Sequence, residues 1–115
     1  MSKHSFTVDY VTEDGVLAGR NDSLNGNTHI PVEMEFIEIT KTKVNGESPN
    51  YSVSELGVVA KINLKLKEVQ SYGKTIDCIP GGITATMKVE GLGLDTLIEV
   101  LQNKGSREYV HIRSR

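Results

Sequence analysis

Apolar and polar residues alternate along several segments of the chain, and this two-residue period predicts β-strands that are buried on one face. The clearest segment is 58–69, where every second residue from Val58 to Leu66 is apolar and the residues between them include Lys61, Lys65 and Lys67. The same period predicts further strands at 6–10, 32–44, 75–79, 83–89 and 109–113.

The predicted strand 32–44 contains a shift in its alternation. Apolar residues up to Phe36 occupy even positions, whereas Ile37 and Ile39 occupy odd positions. A shift by one residue would move every later side chain to the opposite face of the sheet. A β-bulge near Phe36–Ile37 therefore explains the pattern best.

Two segments without regular alternation are predicted to be long loops. Residues 12–31 are rich in Gly, Asn, Asp and Ser, which favour turns, and residues 45–57 begin with Asn45–Gly46, a strong hairpin-turn signal. Long loops in a compact domain are often functional or become ordered on binding a partner. We therefore expect loops 12–31 and 45–57 to contact other molecules.

The period changes after Gly93. Leu94, Leu97, Ile98 and Leu101 are spaced so that they share one face of a helix. A helix of about three turns is marginal alone and must pack on the sheet. We predict one domain over residues 1–115 with an α+β, mainly β, fold. It would be an antiparallel β-sandwich or barrel-like sheet of about six strands, with one C-terminal amphipathic helix packed on it.

Candidate catalytic and metal-binding residues are sparse. Cys78 is the only cysteine, so an internal disulfide and a cysteine zinc cluster are excluded. The three histidines, His4, His29 and His111, lie in different segments without the spacing of a metal motif. We expect no enzymatic activity, no catalytic residues, no metal and no cofactor.

The two halves of the chain carry opposite charge. Residues 1–57 contain 4 basic and 9 acidic side chains, and residues 58–115 contain 9 basic and 6 acidic side chains. In one interpretation the halves neutralise each other within the domain; in the other, oppositely charged surfaces attract further copies of the chain.

The expected partners also follow from composition. The lysine row at 61, 65 and 67 could bind nucleic acid, but only four Tyr and two Phe are available for base stacking, so a solvated face is favoured. No apolar run is long enough to cross a membrane, and Met1 to Phe6 do not resemble a secretory signal. We expect a cytoplasmic location, which for a viral protein means the host cytoplasm or the virion.

One part of the chain resembles a known family. Residues 83–89, 94–101 and 109–112, with Lys104–Gly105 between the last two segments, resemble the strand–helix–strand unit of phage tail-tube proteins and their Hcp-type relatives. The resemblance covers about residues 82–113. It implies a β-sandwich flanked by one helix, which forms stacked rings whose long loops reach neighbouring subunits.

These observations lead to two functional hypotheses. The first is a non-enzymatic structural or assembly protein, a viral (phage) tail or virion component that forms homo-oligomeric rings and contacts other virion proteins. The second is a small binding or inhibitor module that uses its basic strand face to bind a host protein or nucleic acid. The candidate interface residues are Arg20, Asn21, Asp22, Glu33, Glu35, Asn45, Gly46, Lys61, Lys65 and Lys67.

Overall fold

The computed structural model of the protein describes residues 4–12, 14–23 and 29–114. Nine strands and one helix follow one another along this part of the chain. They are β1 (Ser5–Val11), β2 (Val16–Asn21), β3 (Ile30–Pro31), β4 (Glu35–Asn45), β5 (Ser52–Ser71), β6 (Lys74–Ile76), β7 (Cys78–Ile79), β8 (Thr84–Leu92), α1 (Leu94–Asn103) and β9 (Glu108–Ser114).

Seven of these strands form one antiparallel sheet. Its order is β4-β9-β1-β2-β8-β5-β6, and β4 also pairs with β5, while β3 and β7 form a separate two-stranded sheet. The prediction of a mainly β, antiparallel fold with one helix is confirmed. The number of strands was underestimated. The C-terminal placement of the helix was wrong, because β9 follows α1 and pairs with both β4 and β1.

The core lies on one side of the sheet and is built from the alternating apolar residues of its strands. It forms one cluster that includes Phe6, Leu17, Phe36, Met87 and Ile112, all of which are buried. Because successive side chains of a strand point to opposite faces, the neighbours Thr7, Asp9 and His111 lie on the other side of the sheet. That second side carries the polar surfaces described below.

The predicted loop 12–31 was wrong over much of its length. β2 lies within it, in the middle of the seven-stranded sheet between β1 and β8, and Leu17 is fully buried. Residues 24–28 of this segment lie outside the described residues. The strand was missed because Gly19 and the polar pair Arg20–Asn21 resemble a turn in composition.

Gly19 lies where two strands approach closely. A Cβ atom at this position would be 1.9 Å from the carbonyl oxygen of Thr7 and 2.8 Å from Cε1 of Phe6. The glycine therefore permits β1–β2 pairing above a buried aromatic ring.

The predicted loop 45–57 was also wrong in part, because residues 52–57 belong to β5. Asn45–Gly46 does begin the turn that leads from β4 towards β5, and Gly46 adopts a φ of 82°. The bulge predicted near Phe36–Ile37 is confirmed, since the register of β4 against both neighbouring strands shifts between Phe36 and Glu38.

Helix α1 packs on the core through three of the four residues predicted for its apolar face. Leu97 is fully buried, and Leu94 and Leu101 are partly buried against the core cluster. Val100 packs there as well, whereas Ile98 is half-buried outside that cluster. Gly93 precedes the helix with a φ of 107°, and a Cβ atom there would lie 2.4 Å from Cγ2 of Ile62. In the described part of the chain, no helix has the length and apolar character needed to cross a membrane.

We predict that Gly19→Ala destabilises the protein by about 3 kcal/mol, because the new methyl group must separate β1 from β2. Urea denaturation measures the change. Gly105→Ala is the matched control, since the nearest atoms at Gly105 belong to the movable side chain of Glu108. Its effect should stay within about 0.5 kcal/mol. Equal stability of Gly19→Ala and wild type would contradict the close approach.

Candidate functional site

The longest strand, β5, has an edge that no described strand covers. Its twenty residues pair with β4 on one side between Ser52 and Lys65. On the other side, the pairing with β8 begins only at Asn63. Residues 52–62 therefore present one row of backbone N–H and C=O groups without a strand partner among the described residues. We call this row the free edge.

Exposed apolar side chains accompany the free edge. Within the first eight residues of β5, which are all exposed, Val53, Leu56, Val58 and Val59 are each between 45 % and 66 % exposed. Tyr51, directly before the strand, is exposed as well. Contiguous apolar surface of this kind is uncommon on monomeric proteins and is typical of interaction sites.

Two register shifts explain why apolar residues point outward here. Ile39 and Thr40 pair with Ala60 and Val58, so Val59 is an extra residue in β5. Lys41 and Thr42 pair with Gly57 and Glu55, so Leu56 is a second extra residue. Each such bulge bends and twists the strand. The strict alternation that the sequence predicted for 58–69 is thus broken at Val59, inside the free edge, and Val58 is exposed instead of facing the core.

The turn between β4 and β5 contains Asn45 and Gly46, two of the predicted interface residues, and is held by hydrogen bonds. Asn45 Nδ2 donates a hydrogen bond of 2.6 Å to Ser54 Oγ, and Arg107 donates to the carbonyl oxygen of Gly46. At Gly46 a Cβ atom would approach Asn50 O to 2.5 Å. Asn45 and Gly46 therefore shape the turn next to the free edge.

A buried histidine connects β9 to its two neighbouring strands, β1 and β4, and β4 in turn pairs with β5. On the polar side of the sheet, His111 of β9 contacts Thr7 of β1 and Thr42 of β4 at 3.0 Å (Nδ1) and 2.8 Å (Nε2). Its Nδ1 also lies 2.8 Å from Oδ2 of Asp22, directly after β2. If Nδ1 carries the proton and donates to Asp22, Nε2 accepts from the Thr42 hydroxyl. These four residues are the His111 cluster.

The His111 cluster keeps the Asp22 carboxylate ionised. Burial has the largest single effect and raises the pKa of Asp22, but the contacts with His111, Thr7 and Ser5 together outweigh it and lower the pKa from 3.8 to about 2. In the sequence, His111 has no partner at the spacing of a local motif. Its hydroxyl partners lie 104 and 69 positions away, so no local motif could reveal the cluster.

A second charged contact lies at the end of β9. Lys41 Nζ is 2.7 Å from Oε1 of Glu108, and this hydrogen bond, together with one from the backbone N–H of Gly105, lowers the pKa of Glu108. The contact joins β4 to β9 close to the turn that follows Asn45. Together with the His111 cluster, it holds β4, the strand with which β5 pairs, against β9.

The predicted lysine row meets acidic residues of the first half of the chain. Lys61 pairs with Glu38 at 3.3 Å, and Lys65 and Lys67 pair with Glu33 at 3.4 and 3.6 Å. Glu35 is opposite Lys65 in the β4–β5 register. These ion pairs agree with the interpretation in which the two halves neutralise each other.

The remaining candidate residues have different environments. Arg20 is exposed on β2. Asn21 is 1 % exposed, and its Nδ2 donates a hydrogen bond of 2.7 Å to Ile79 O while its Oδ1 accepts from Ser23. The side chain of Asn21, a predicted interface residue, therefore joins β2 to β7 inside the protein.

Comparison with known proteins does not identify a family. No protein-family model matches the chain, and neither a curated protein nor a solved structure is significantly similar to it. Within residues 4–12, 14–23 and 29–114, no group of three or more His, Cys, Asp or Glu side chains is placed to hold a metal ion.

We predict that Asp22→Asn lowers the free energy of unfolding near neutral pH by about 1–2 kcal/mol, after allowance for partial exposure. The contribution of Asp22 is present above its unfolded pKa of 3.8 and is lost as the pH falls through about 2. The difference between wild type and variant should therefore shrink over that range.

Urea denaturation of both proteins at a series of pH values measures this difference. Glu35→Gln, at an exposed position of β4, controls for the loss of one carboxylate. A difference between wild type and Asp22→Asn that stays constant down to pH 2 would contradict the assignment.

Proposed function

We propose that the protein is a non-enzymatic structural or assembly protein that forms homo-oligomers through its free edge. The observation that carries this proposal is the unpaired edge of residues 52–62 together with the exposed apolar side chains beside it. A strand from a second copy that adds to this edge would satisfy the backbone groups and cover Val53, Leu56 and Val58.

The composition of the free edge supports this proposal. Proteins commonly protect exposed edges with lysine, proline or inward-pointing charge. The free edge contains no proline and one lysine, Lys61, which forms an ion pair of 3.3 Å with Glu38. Its other charged side chain, Glu55, accepts a hydrogen bond of 3.3 Å from Arg113. The bulges at Leu56 and Val59 restrict pairing to a strand of complementary shape, which favours a specific partner over indiscriminate aggregation.

The strand pairing also bears on the shape of one copy and on how copies join. The double pairing of β4, with β9 and with β5, supports a barrel-like body from which the first half of β5 extends. If the free edge binds a different surface of the next copy, the contact is heterologous, and it forms a ring when the rotation from copy to copy closes. The resemblance to phage tail-tube proteins supports a ring in a viral tail or virion.

The alternative, a binding or inhibitor module that uses the basic strand face, has less support. Lys61, Lys65 and Lys67 are each within 3.6 Å of a glutamate oxygen. A polyanion would have to displace Glu33 and Glu38 before it could bind these lysines.

We predict that the wild-type chain is oligomeric and that the double variant Val53→Lys/Val58→Lys is monomeric. Two lysines at the free edge repel a second copy and resist burial, whereas both positions are exposed in the single chain, so folding should persist. Sedimentation velocity over a range of concentrations measures the mass, and circular dichroism verifies the fold.

Thr75→Lys/Gln102→Lys is the matched control, because it adds the same two charges at exposed positions of β6 and α1. β6 pairs only with the opposite end of β5, at residues 69–71. The control should keep the wild-type mass. A wild-type chain that stays monomeric at all concentrations and salt strengths would refute the proposal. Equal dissociation of the control and of Val53→Lys/Val58→Lys would place the interface elsewhere.

A further inference from the structure

The polar side of the sheet contains a groove that shares one residue, Val53, with the free edge. Two neighbouring clefts of about 470 and 480 Å³ share the lining residues Asp9 and Thr84. They therefore form one continuous depression across β1, β2 and β8, with the His111 cluster in its floor at one end. We call it the tyrosine groove, because exposed tyrosines line both clefts.

Three of the four tyrosines of the chain line this groove. Tyr10 and Tyr72 line one cleft and are 55 % and 90 % exposed, and Tyr109 lines the other and is 47 % exposed. Apart from these rings, the first cleft is floored by small residues, including Ala18 and Ala85. The groove thus combines flat aromatic surfaces with a shallow floor.

Tyr72 has an unusual backbone conformation for its residue type. Its φ is 54°, and the next residue, Gly73, has a φ of 78°, in the turn between β5 and β6. Asn, Asp or Gly adopts such a conformation more readily than a bulky side chain does. Burial does not compensate for the strain, because the side chain is almost fully exposed. Such strain at an exposed aromatic side chain points to a role in binding.

The polar groups of the groove are of several chemical types. Asp9, Arg20, Gln70 and Thr84 supply carboxylate, guanidinium, amide and hydroxyl groups at its lining. Asp22 adds a second carboxylate, and none of the three ion-paired lysines of β5 belongs to the lining. A polyanion such as single-stranded nucleic acid would meet two carboxylates and a single arginine, and such binders instead have positively charged grooves.

An extended peptide is disfavoured for a different reason. Peptides that add to sheets bind the backbone of an unpaired edge. β1, β2 and β8, which form the floor, each pair with strands on both sides, so their backbone groups are already satisfied. Recognition in this groove must come from side chains.

We propose that the tyrosine groove binds a neutral oligosaccharide. The C–H faces of sugar rings pack on the exposed tyrosine rings, and the sugar hydroxyls hydrogen-bond to Asp9, Arg20 and Gln70, which offer both donors and acceptors. The uncharged, polyhydroxylated ligand matches a lining that offers both donors and acceptors and only one cationic group. The groove borders the free edge at Val53, but its three tyrosines lie outside that edge, so either proposal can fail without the other.

The experiment titrates the full chain with hexamers of β-1,4-glucose, α-1,4-glucose, β-1,4-mannose and β-1,4-N-acetylglucosamine by isothermal calorimetry. Because the chain has no tryptophan, tyrosine emission gives a second readout that reports on the groove. We expect saturable binding of at least one hexamer, and none of comparable strength for oligo-dT. Val58→Lys should bind that hexamer as tightly as wild type does.

Tyr72→Asn provides the decisive variant. Asparagine suits the turn, so the variant should melt at the same or a higher temperature and yet bind the sugar about tenfold more weakly. Tyr51→Ala, which removes the one tyrosine outside the groove, should retain wild-type affinity. Absence of binding by all four hexamers, tighter binding of oligo-dT, or unchanged affinity in Tyr72→Asn would each overturn the proposal.

Discussion

At Leu64 the longest strand is paired on both sides at once, with Phe36 of β4 and with Gly91 of β8. This double pairing depends on a close approach, since a Cβ atom on Gly91 would lie 1.9 Å from Asn63 O. Towards the C-terminal end β5 belongs to the body of the sheet, and towards the N-terminal end it separates from β8. The free edge therefore arises from the length of β5, which exceeds that of the strand available beside it.

The polar side of the sheet stabilises this arrangement and also supplies its recognition chemistry. Through Nε2, His111 contacts Thr42 of β4, the strand that pairs with β5. Through Nδ1, it contacts Thr7 of β1 and Asp22. The contacts of Asp22 with its neighbours outweigh the effect of its partial burial on the pKa, so its charge is retained well into the acidic range. The same residues form the floor of one end of the tyrosine groove, so a rigid polar network lies directly beneath the surface proposed to bind sugar.

The two proposed surfaces use different physical properties of a β-sheet. The free edge offers unpaired backbone groups and adjacent apolar side chains, which suit a second strand. The tyrosine groove crosses strands that are already paired, so it can recognise a ligand only through side chains. Val53 belongs to both surfaces, but the three tyrosines of the groove lie outside the free edge, so an oligomer assembled through that edge repeats the proposed sugar site on each copy. Repetition of a weak sugar site in an oligomer would then raise its overall avidity.

Local pattern was sufficient for the features that depend on neighbouring residues. The alternation of apolar residues predicted most strands, the shift at Phe36–Ile37 predicted the bulge, and the spacing of Leu94 and Leu97 predicted the helix and its buried face. Only the tertiary structure decided the strand order, the polar contacts and the free edge, because these features depend on which residues distant in sequence meet. β2 becomes a central strand because Gly19 allows contact with β1, and His111 gains partners up to 104 residues away. The free edge, likewise, exists only because β8 reaches no further along β5 than Asn63.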